Sequence, residues 1–253
     1  MIHYHGCPLT PESAAAQVFA GRHCMVSYAN PEQLPLVAEI CQTFTLDNGA
    51  FGAWRSGKPI EDWNGFYRWV RAWYRHPGFD WFLIPDKIDG EESDNDWLVK
   101  NVPRSLKPWG VPVWHLHESI NRLAKLVEKW PRVAFGSSGK YAQIGTLAWE
   151  RRMSEAFAAI CDLEGQPVAK LHGLRMLDPQ IFQRFPFASC DSTNTARYVG
   201  MDGAWRGPYP PAGKAARGIV LAGRIEASQS APRWVPDAHQ HEFALEIQEA
   251  ARG

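Results

Sequence analysis

The sequence lacks the features that mark a highly charged or membrane-embedded protein. Its 253 residues carry 27 basic and 27 acidic side chains, so composition does not indicate a nucleic-acid-binding protein, although a locally basic face is compatible with it. No apolar run approaches the roughly 18 residues of a membrane-spanning helix. The first residues form no basic-then-apolar signal peptide. We therefore expect no contact with a membrane.

Cysteine pairs are also absent. The five cysteines are odd in number and widely spaced, and no CxxC or CxC pair occurs. This spacing argues against a zinc knuckle and against a disulfide scaffold. It favours the reducing environment of the cytoplasm.

Short apolar runs alternate with helical patterns along most of the chain. We predict strands at residues 23–28, 44–47, 80–84, 111–115, 132–135, 168–171 and 187–191, with Tyr198–Met201 as the best candidate for an eighth. Strands that alternate with helices predict a parallel sheet. Seven or eight such units favour an α/β fold, a single (β/α)8 TIM-type barrel with its core at about residues 22–228 and a polar tail at about 229–253.

Polar residues end several of these strands. Asp47, Asp86 and Asp191 each follow an apolar run, and His115 and His172 end two of the runs between them. A single carboxylate in this position is often a helix cap or turn former. Three in equivalent positions indicate a ligand site, because a buried charge costs desolvation and the chemistry of a barrel lies at the carboxyl ends of its strands. We place Asp191 at the centre of that site.

Two kinds of chemistry fit these residues. The HxH pairs at 3–5 and 115–117, together with His172 and Asp191, resemble the metal site of a hydrolase. Alternatively, Asp191 is a covalent nucleophile and Asp47 carries the proton, a division that suits a glycosidic carbon. Asp86 could then accept the adjacent N–H donors of a guanine-type purine.

Two glycine-containing segments allow a functional and a plain structural interpretation. The segment 136–140 (GSSGK) could present backbone N–H groups to an anion or carbonyl, although it is not a P-loop. His172-Gly173 could let a flat ligand approach closely. Either segment could equally be a strand-to-helix turn.

At this point the motifs resemble a known family, the tRNA-guanine transglycosylases. The sequence LDNGAF (46–51) is similar to the DSGGF-type motif that follows the second strand in that family, which implies that Asp47 is the general acid/base. The Pro-Asp pair ending at Asp86 is similar to the third-strand aspartate that recognises the base. Gly136 matches a fifth-strand glycine motif that contacts the base, and Asp191 matches the seventh-strand nucleophile.

The resemblance covers residues 44–195 and departs from the tRNA enzymes in three ways. The CxC…C…H zinc site and the accessory RNA-binding domain are missing, and His115 replaces a glutamine. The two absences make the chain most similar to the phage and bacterial 7-deazaguanine DNA transglycosylases, whereas His115 bears on base specificity. The resemblance implies a pentosyltransferase that uses neither cofactor nor metal and replaces guanine in DNA by a free 7-deazaguanine base, with tRNA a less favoured substrate.

The expected site is larger than its catalytic pair, Asp191 and Asp47. We expect Phe51 or Trp54 to stack on the base. The predicted substrate-binding residues are Asn48, Gly49, Phe51, Asp86, Asp89, His115, His117, Gly136, Ser137, His172, Gly173 and Ser192. The predicted phosphate contacts, each also interpretable as a solvated surface charge, are Arg197, Arg206, Lys214, Arg217 and Arg224. A metal-dependent hydrolase and a non-catalytic nucleic-acid or nucleotide-binding protein are the alternatives.

Overall fold

The computed structural model describes residues 1–201 and 210–236. Within them, nine parallel strands form one sheet in the order β5-β4-β3-β2-β1-β9-β8-β7-β6. The strands are β1 (Ile2–Gly6), β2 (His23–Ser27), β3 (Thr43–Asp47), β4 (Phe79–Leu83), β5 (Gly110–Val111), β6 (Val113–His115), β7 (Arg132–Gly136), β8 (Lys170–Gly173) and β9 (Ser189–Ser192).

The sheet closes through β5 and β6, which flank Pro112. β5 pairs with β4, and β6 pairs with β7. Between them the backbone N–H of Ala134 donates to the carbonyl oxygen of Pro112 at 2.9 Å. Proline has no N–H to give to a ladder, so it splits one bent strand into two segments. Counted as one, they give eight strand positions, and the predicted TIM-like α/β barrel is confirmed.

Helices follow the strands and pack against the outside of the barrel. Those of the described residues are α1 (Glu12–Phe19), α2 (Leu34–Ile40), α3 (Ala50–Arg55), α4 (Asn64–Trp73), α5 (Glu92–Lys100), α6 (Ile120–Lys129), α7 (Leu147–Ile160), α8 (Pro179–Phe182), α9 (Asn194–Tyr198) and α10 (Gly213–Glu226), with 3-10 turns at Lys107–Trp109 and Gly139–Tyr141. α6 shows why they form: the Ser119 hydroxyl caps its first turn by accepting from the N–H of Arg122 at 3.1 Å. None of these helices has the length and apolar character needed to cross a membrane.

Two apolar layers hold the barrel together. The larger layer lies between strands and helices and includes Phe44, Phe82 and Phe135. The smaller one fills the interior of the barrel and contains Tyr4, Met25, Trp81, Leu83, Val111, Val113 and Ala134. Side chains alternate along each strand, so Tyr4 points inward while its neighbours His3 and His5 point toward the helices.

The seven strands predicted first are confirmed, with shifted bounds, but the eighth is wrong. Tyr198 ends α9, because the helix that begins at Asn194 continues through it. The missing strand is β1, which lies between β2 and β9 in the barrel. The core therefore begins at Ile2 and not near residue 22. Every predicted strand moves one place later in the barrel.

The chain after α10 lies partly outside the described residues. Its first part, up to residue 236, is attached to the body of the protein, since the N–H of Trp234 donates to the carbonyl oxygen of Gly165 at 2.8 Å. Trp234 also packs against the outer apolar layer. The predicted polar tail is thus anchored at its start.

Candidate functional site at the carboxyl end of the barrel

Asp191 lies on β9 and is only 8% exposed. Its Oδ1 accepts from the backbone N–H of Arg175 at 3.0 Å and lies 3.3 Å from Nε2 of His172. No hydrogen bond to its Oδ2 is found within residues 1–201 and 210–236. One carboxylate oxygen is therefore fixed in place and the other is left open.

His172 positions Asp191 and does not form an open surface. Its ring is fully buried, and Nδ1 lies 2.9 Å from the Ser189 hydroxyl. Burial lowers the pKa of His172, which favours the neutral ring. In a neutral ring Nε2–H donates to Asp191 while Nδ1 accepts from Ser189. The histidine that we predicted to bind substrate thus contacts Asp191 and Ser189.

Asp47 ends β3 and has a different environment. Burial raises its pKa to about 7, the charges of Asp191 and Asp86 add to the effect, and a hydrogen bond from Ser27 opposes it. Its Oδ2 also accepts from the N–H of Gly49 at 3.2 Å. Gly49 adopts a left-handed φ of 79°, and a Cβ there would lie 3.0 Å from the nitrogen of Ala29. The Asp-Asn-Gly turn therefore supplies a carboxyl group that exchanges its proton near neutral pH.

Asp86 follows β4 and is held by two side chains. Its Oδ1 accepts from Nδ2 of Asn48 at 2.6 Å, and its Oδ2 lies 2.8 Å from Nε2 of His115. The Asn48 amide also donates to the carbonyl oxygen of Ile84 at 2.9 Å. Each oxygen of Asp86 thus has one partner already, and a substrate would use the remaining lone pairs.

His115 is the least satisfied member of this group. Its buried Nδ1 has no hydrogen-bond partner in the part of the chain that the structure describes. A Cβ on Gly136 would lie 2.9 Å from this atom, so the glycine leaves the space that the imidazole of His115 occupies. The ring of His117 stacks on His115 at 5.7 Å, and its Nδ1 lies 2.6 Å from the Ser138 hydroxyl.

A cavity of about 680 Å³ opens beside Asp86. Trp54 and Trp97 on its wall are 39% and 63% exposed. Its aromatic and acidic lining includes Trp54, Trp63, Trp97, Glu61, Asp86, Asp89 and Asp94. Flat faces and carboxylates together suit a planar ligand that donates hydrogen bonds.

Arg175 crosses the mouth of the barrel, and sequence reasoning missed it. Its guanidinium carbon lies 4.0 Å from the centre of the Phe51 ring, and its Nη2 donates to the carbonyl oxygen of Ser137 at 3.1 Å. Its φ is +60°, the one non-glycine residue with a positive φ in the described ranges. This conformation points the Arg175 N–H at Asp191. The neighbouring sequence contains no signal that predicts a left-handed residue at this position.

Two predicted contacts, Gly173 and Ser192, lie elsewhere than expected. The space in front of Gly173 is filled by Cys190 and Met176. The Ser192 hydroxyl donates to the carbonyl oxygen of Leu177 at 3.2 Å, because strand alternation turns it away from Asp191. Ser137, in contrast, reaches the mouth through its carbonyl oxygen, while its hydroxyl accepts from Nε1 of Trp149 at 2.9 Å.

The predicted phosphate contacts divide between the two ends of the barrel. Arg197 and Arg55, which we had not predicted, line a hollow of about 500 Å³ at the rim of the mouth. Lys214 donates to the carbonyl oxygen of Thr10 at 3.0 Å, also near the mouth.

The remaining members of that set differ in position. Arg217, one turn further along α10, donates to the carbonyl oxygen of Pro211 at 3.0 Å. Arg224 lies near the last turn of α10, at the opposite end of the barrel, since Glu226 two residues later pairs with Arg22 beside the start of β2. Arg206 lies outside the described residues.

The first HxH pair faces away from the site. Nε2 of His3 lies 2.9 Å from the carbonyl oxygen of Ser228, and Nε2 of His5 lies 3.0 Å from Glu226. Both histidines attach β1 to α10 and the residues after it. Across residues 1–201 and 210–236, no three His, Cys, Asp or Glu side chains are grouped so as to hold a metal ion. All five cysteines are unpaired.

The fold and the site together define a (β/α)8-barrel protein whose mouth is lined by carboxylates. No protein-family model matches the sequence, and comparisons with curated proteins and with solved structures found no match.

Proposed function

We propose that this protein is a glycosyl-transferring enzyme that exchanges guanine in DNA for a free 7-deazaguanine base. The observation that carries the proposal is the difference between two carboxyl groups at the mouth. Asp191 has one oxygen fixed and one open, as a nucleophile requires, whereas the pKa of Asp47 is about 7, as a proton carrier requires.

The reaction takes two displacements at C1′ of the nucleotide. The open Oδ2 of Asp191 attacks C1′, the bond from C1′ to N9 of guanine breaks, and the leaving base takes a proton from Asp47. The ester between Asp191 and C1′ is the covalent intermediate. The incoming 7-deazaguanine gives its N9 proton to Asp47 and attacks C1′, and the ester bond breaks to restore Asp191.

Base recognition falls to the group around Asp86. Its carboxylate can accept N–H donors from the purine edge, and the buried Nδ1 of His115 beside it lacks a partner. The tryptophans of the adjoining cavity offer faces on which a base can stack. We propose that Arg175 moves off Phe51 when a flipped nucleotide enters.

We propose that the DNA backbone contacts Arg55, Arg197 and Lys214 at the rim. The resemblance to the transglycosylases supports the proposed base exchange, and this support comes from sequence motifs alone. Each matched residue lies one strand later than that family's pattern requires, because β1 comes first. The offset is the same for all of them, so their separations around the barrel are unchanged. The unpaired cysteines suit a cytoplasmic location.

Labelled-guanine exchange, measured side by side in duplex DNA and in tRNA, tests the proposal. We expect the unaltered protein to incorporate the label into DNA and to form a covalent adduct with the DNA through Asp191. Asp191→Asn should do neither, while the matched neighbour Ser192→Ala should retain exchange. Full exchange by Asp191→Asn would disprove the nucleophile, and label in tRNA alone would disprove the DNA assignment.

A further inference from the structure

A second concave surface lies at the opposite end of the barrel from Asp191. It is a groove of about 800 Å³ between α5 and α6. Lys100 is the last residue of α5, Gly110 the first of β5, and Pro131 directly precedes β7. All three line the groove, which places it at the amino ends of the strands.

The groove concentrates positive charge in a chain whose net charge is zero. None of its five exposed cations forms an ion pair with a described carboxylate. Among the described residues that line it, Asp96 is the one acid, and it pairs with Arg122 at 2.8 Å. The exposed cations are Lys100, Arg104, Lys107, Lys125 and Lys129.

Arg122 adds a buried donor to this wall. It is 3% exposed, and its Nη1 donates to Glu118 at 2.6 Å and to the carbonyl oxygen of Val113 at 3.0 Å. Its Nη2 has no hydrogen-bond partner in the described part of the chain. A buried guanidinium N–H without an acceptor is costly, and Arg122 lines the groove, so an oxygen-rich anion bound there would lie beside a cation that lacks one acceptor.

The groove also has an apolar side. Val99, Leu126 and Pro108 line it beside the buried Trp130. The ammonium of Lys107 lies 5.6 Å from the centre of the Trp130 ring. A ligand with a charged part and a flat apolar part would match both sides.

We propose that this groove binds a small polyphosphate anion that carries a heterocycle, of the nucleoside polyphosphate class. Two facts favour a small ligand over a nucleic-acid strand. Helices bound the groove on both sides, and its volume is within the range of about 300–1,000 Å³ typical of small-molecule sites. The groove is separate from the mouth, so this proposal does not depend on the exchange reaction.

Calorimetric titration of the full chain with adenosine triphosphate, and with inorganic tripolyphosphate as competitor, tests the site. We expect Lys125→Glu/Lys129→Glu to weaken nucleotide binding by about tenfold or more, because it reverses two of the cations. The matched control is Lys58→Glu/Lys170→Glu, which makes the same charge change at exposed positions outside the groove. It should bind within about twofold of the unaltered protein.

Three outcomes would overturn the proposal. These are no nucleotide binding by the unaltered protein, equal weakening by both double variants, and tighter binding of a short single-stranded oligonucleotide through the same lysines. Circular dichroism of each variant establishes that it is folded before binding is compared. If tripolyphosphate displaces the nucleotide from the unaltered protein and the control variant but not from Lys125→Glu/Lys129→Glu, the groove lysines bind the phosphates.

Discussion

The two ends of this barrel treat their carboxylates in opposite ways. At the amino end, Asp80 accepts a hydrogen bond from the Tyr4 hydroxyl and lies 3.7 Å from Nη1 of Arg132. At the mouth, three carboxylates gather, and in the described residues none of them forms an ion pair with lysine or arginine. The amino end therefore neutralises its acid, whereas the mouth leaves its acids without a lysine or arginine counter-ion in the described residues. Stability is given up where chemistry is expected.

The largest difference between the ends should appear in activity. Replacing Asp191 by alanine should reduce base exchange by at least about a thousandfold, since it removes the attacking oxygen. The free energy of unfolding, measured with urea, should equal that of the unaltered protein, because the substitution also removes the repulsion between Asp191 and Asp47. Comparable residual exchange in the variant would place the nucleophile elsewhere.

At the amino end the effect should be on stability. Asp80→Ala leaves the buried Tyr4 hydroxyl without its acceptor and Arg132 without its counter-charge, and we expect a loss of about 2 kcal/mol in the free energy of unfolding. Urea denaturation at neutral pH measures it. Glu155→Ala, which removes the exposed partner of Arg152, is the control and should change stability by less than about 0.5 kcal/mol. Equal losses in both variants would remove the contrast.

Asp47 tests whether a carboxylate at the mouth lowers the stability of the protein. Folding raises its pKa from 3.8 to about 7, so the folded chain keeps a proton that the unfolded chain loses. Stability should therefore fall as pH rises through this window and level off above it. Asp47→Asn removes that cost, and we expect it to stabilise the protein by roughly 1–2 kcal/mol at about pH 8, allowing for solvent screening.

Near pH 4 the same substitution should have little effect, because Asp47 is protonated in the folded chain and the unfolded chain is still partly protonated there. Thermal unfolding followed at both pH values gives the comparison. A variant that is less stable than the unaltered protein at the higher pH would show that Asp47 has a partner that stabilises its charge.

The smallest expected effect concerns the arginine across the mouth. Arg175→Ala loses the contact with Phe51 but keeps the left-handed backbone, so it should destabilise the protein by about 1 kcal/mol. Arg175→Gly loses the same contact and is free of that backbone strain. We expect it to be the more stable of the two by roughly 0.5–1 kcal/mol, measured by urea denaturation. Identical stabilities would mean that the positive φ stores no strain.

Much of the barrel can be predicted from local patterns, because each βα unit carries its own apolar run and its own cap. β1 could not be predicted in this way. Its five residues, IHYHG, include only one aliphatic side chain. His3 and His5 are buried by contacts that the fold supplies, among them Ser228 and Glu226, more than 200 residues away. Tyr198 fails for the opposite reason, since it is apolar and strand-like but belongs to a helix that begins at Asn194.

The carboxylates of the site could be predicted because a strand end is visible in sequence. Their environment could not. The neutral His172 beneath Asp191 is defined by a neighbour on β9, and the Arg175 N–H depends on a backbone angle. The raised pKa of Asp47 depends on two charges that the fold brings close from β4 and β9. These are properties of packing, which spacing along the chain does not encode.

The position of β1 between β2 and β9 sets an order of events during folding. Ile2 is in register with Ser189, and Tyr4 with Asp191, so the seam joins residues that are 187 positions apart in the sequence. Contacts this distant in sequence form slowly, because a long loop must close first. As a ribosome delivers the chain, the other strands can pair before β9 exists. The carboxylate that we propose as nucleophile thus reaches its final position in the same step that closes the barrel, and a chain whose barrel is still open lacks the complete candidate site.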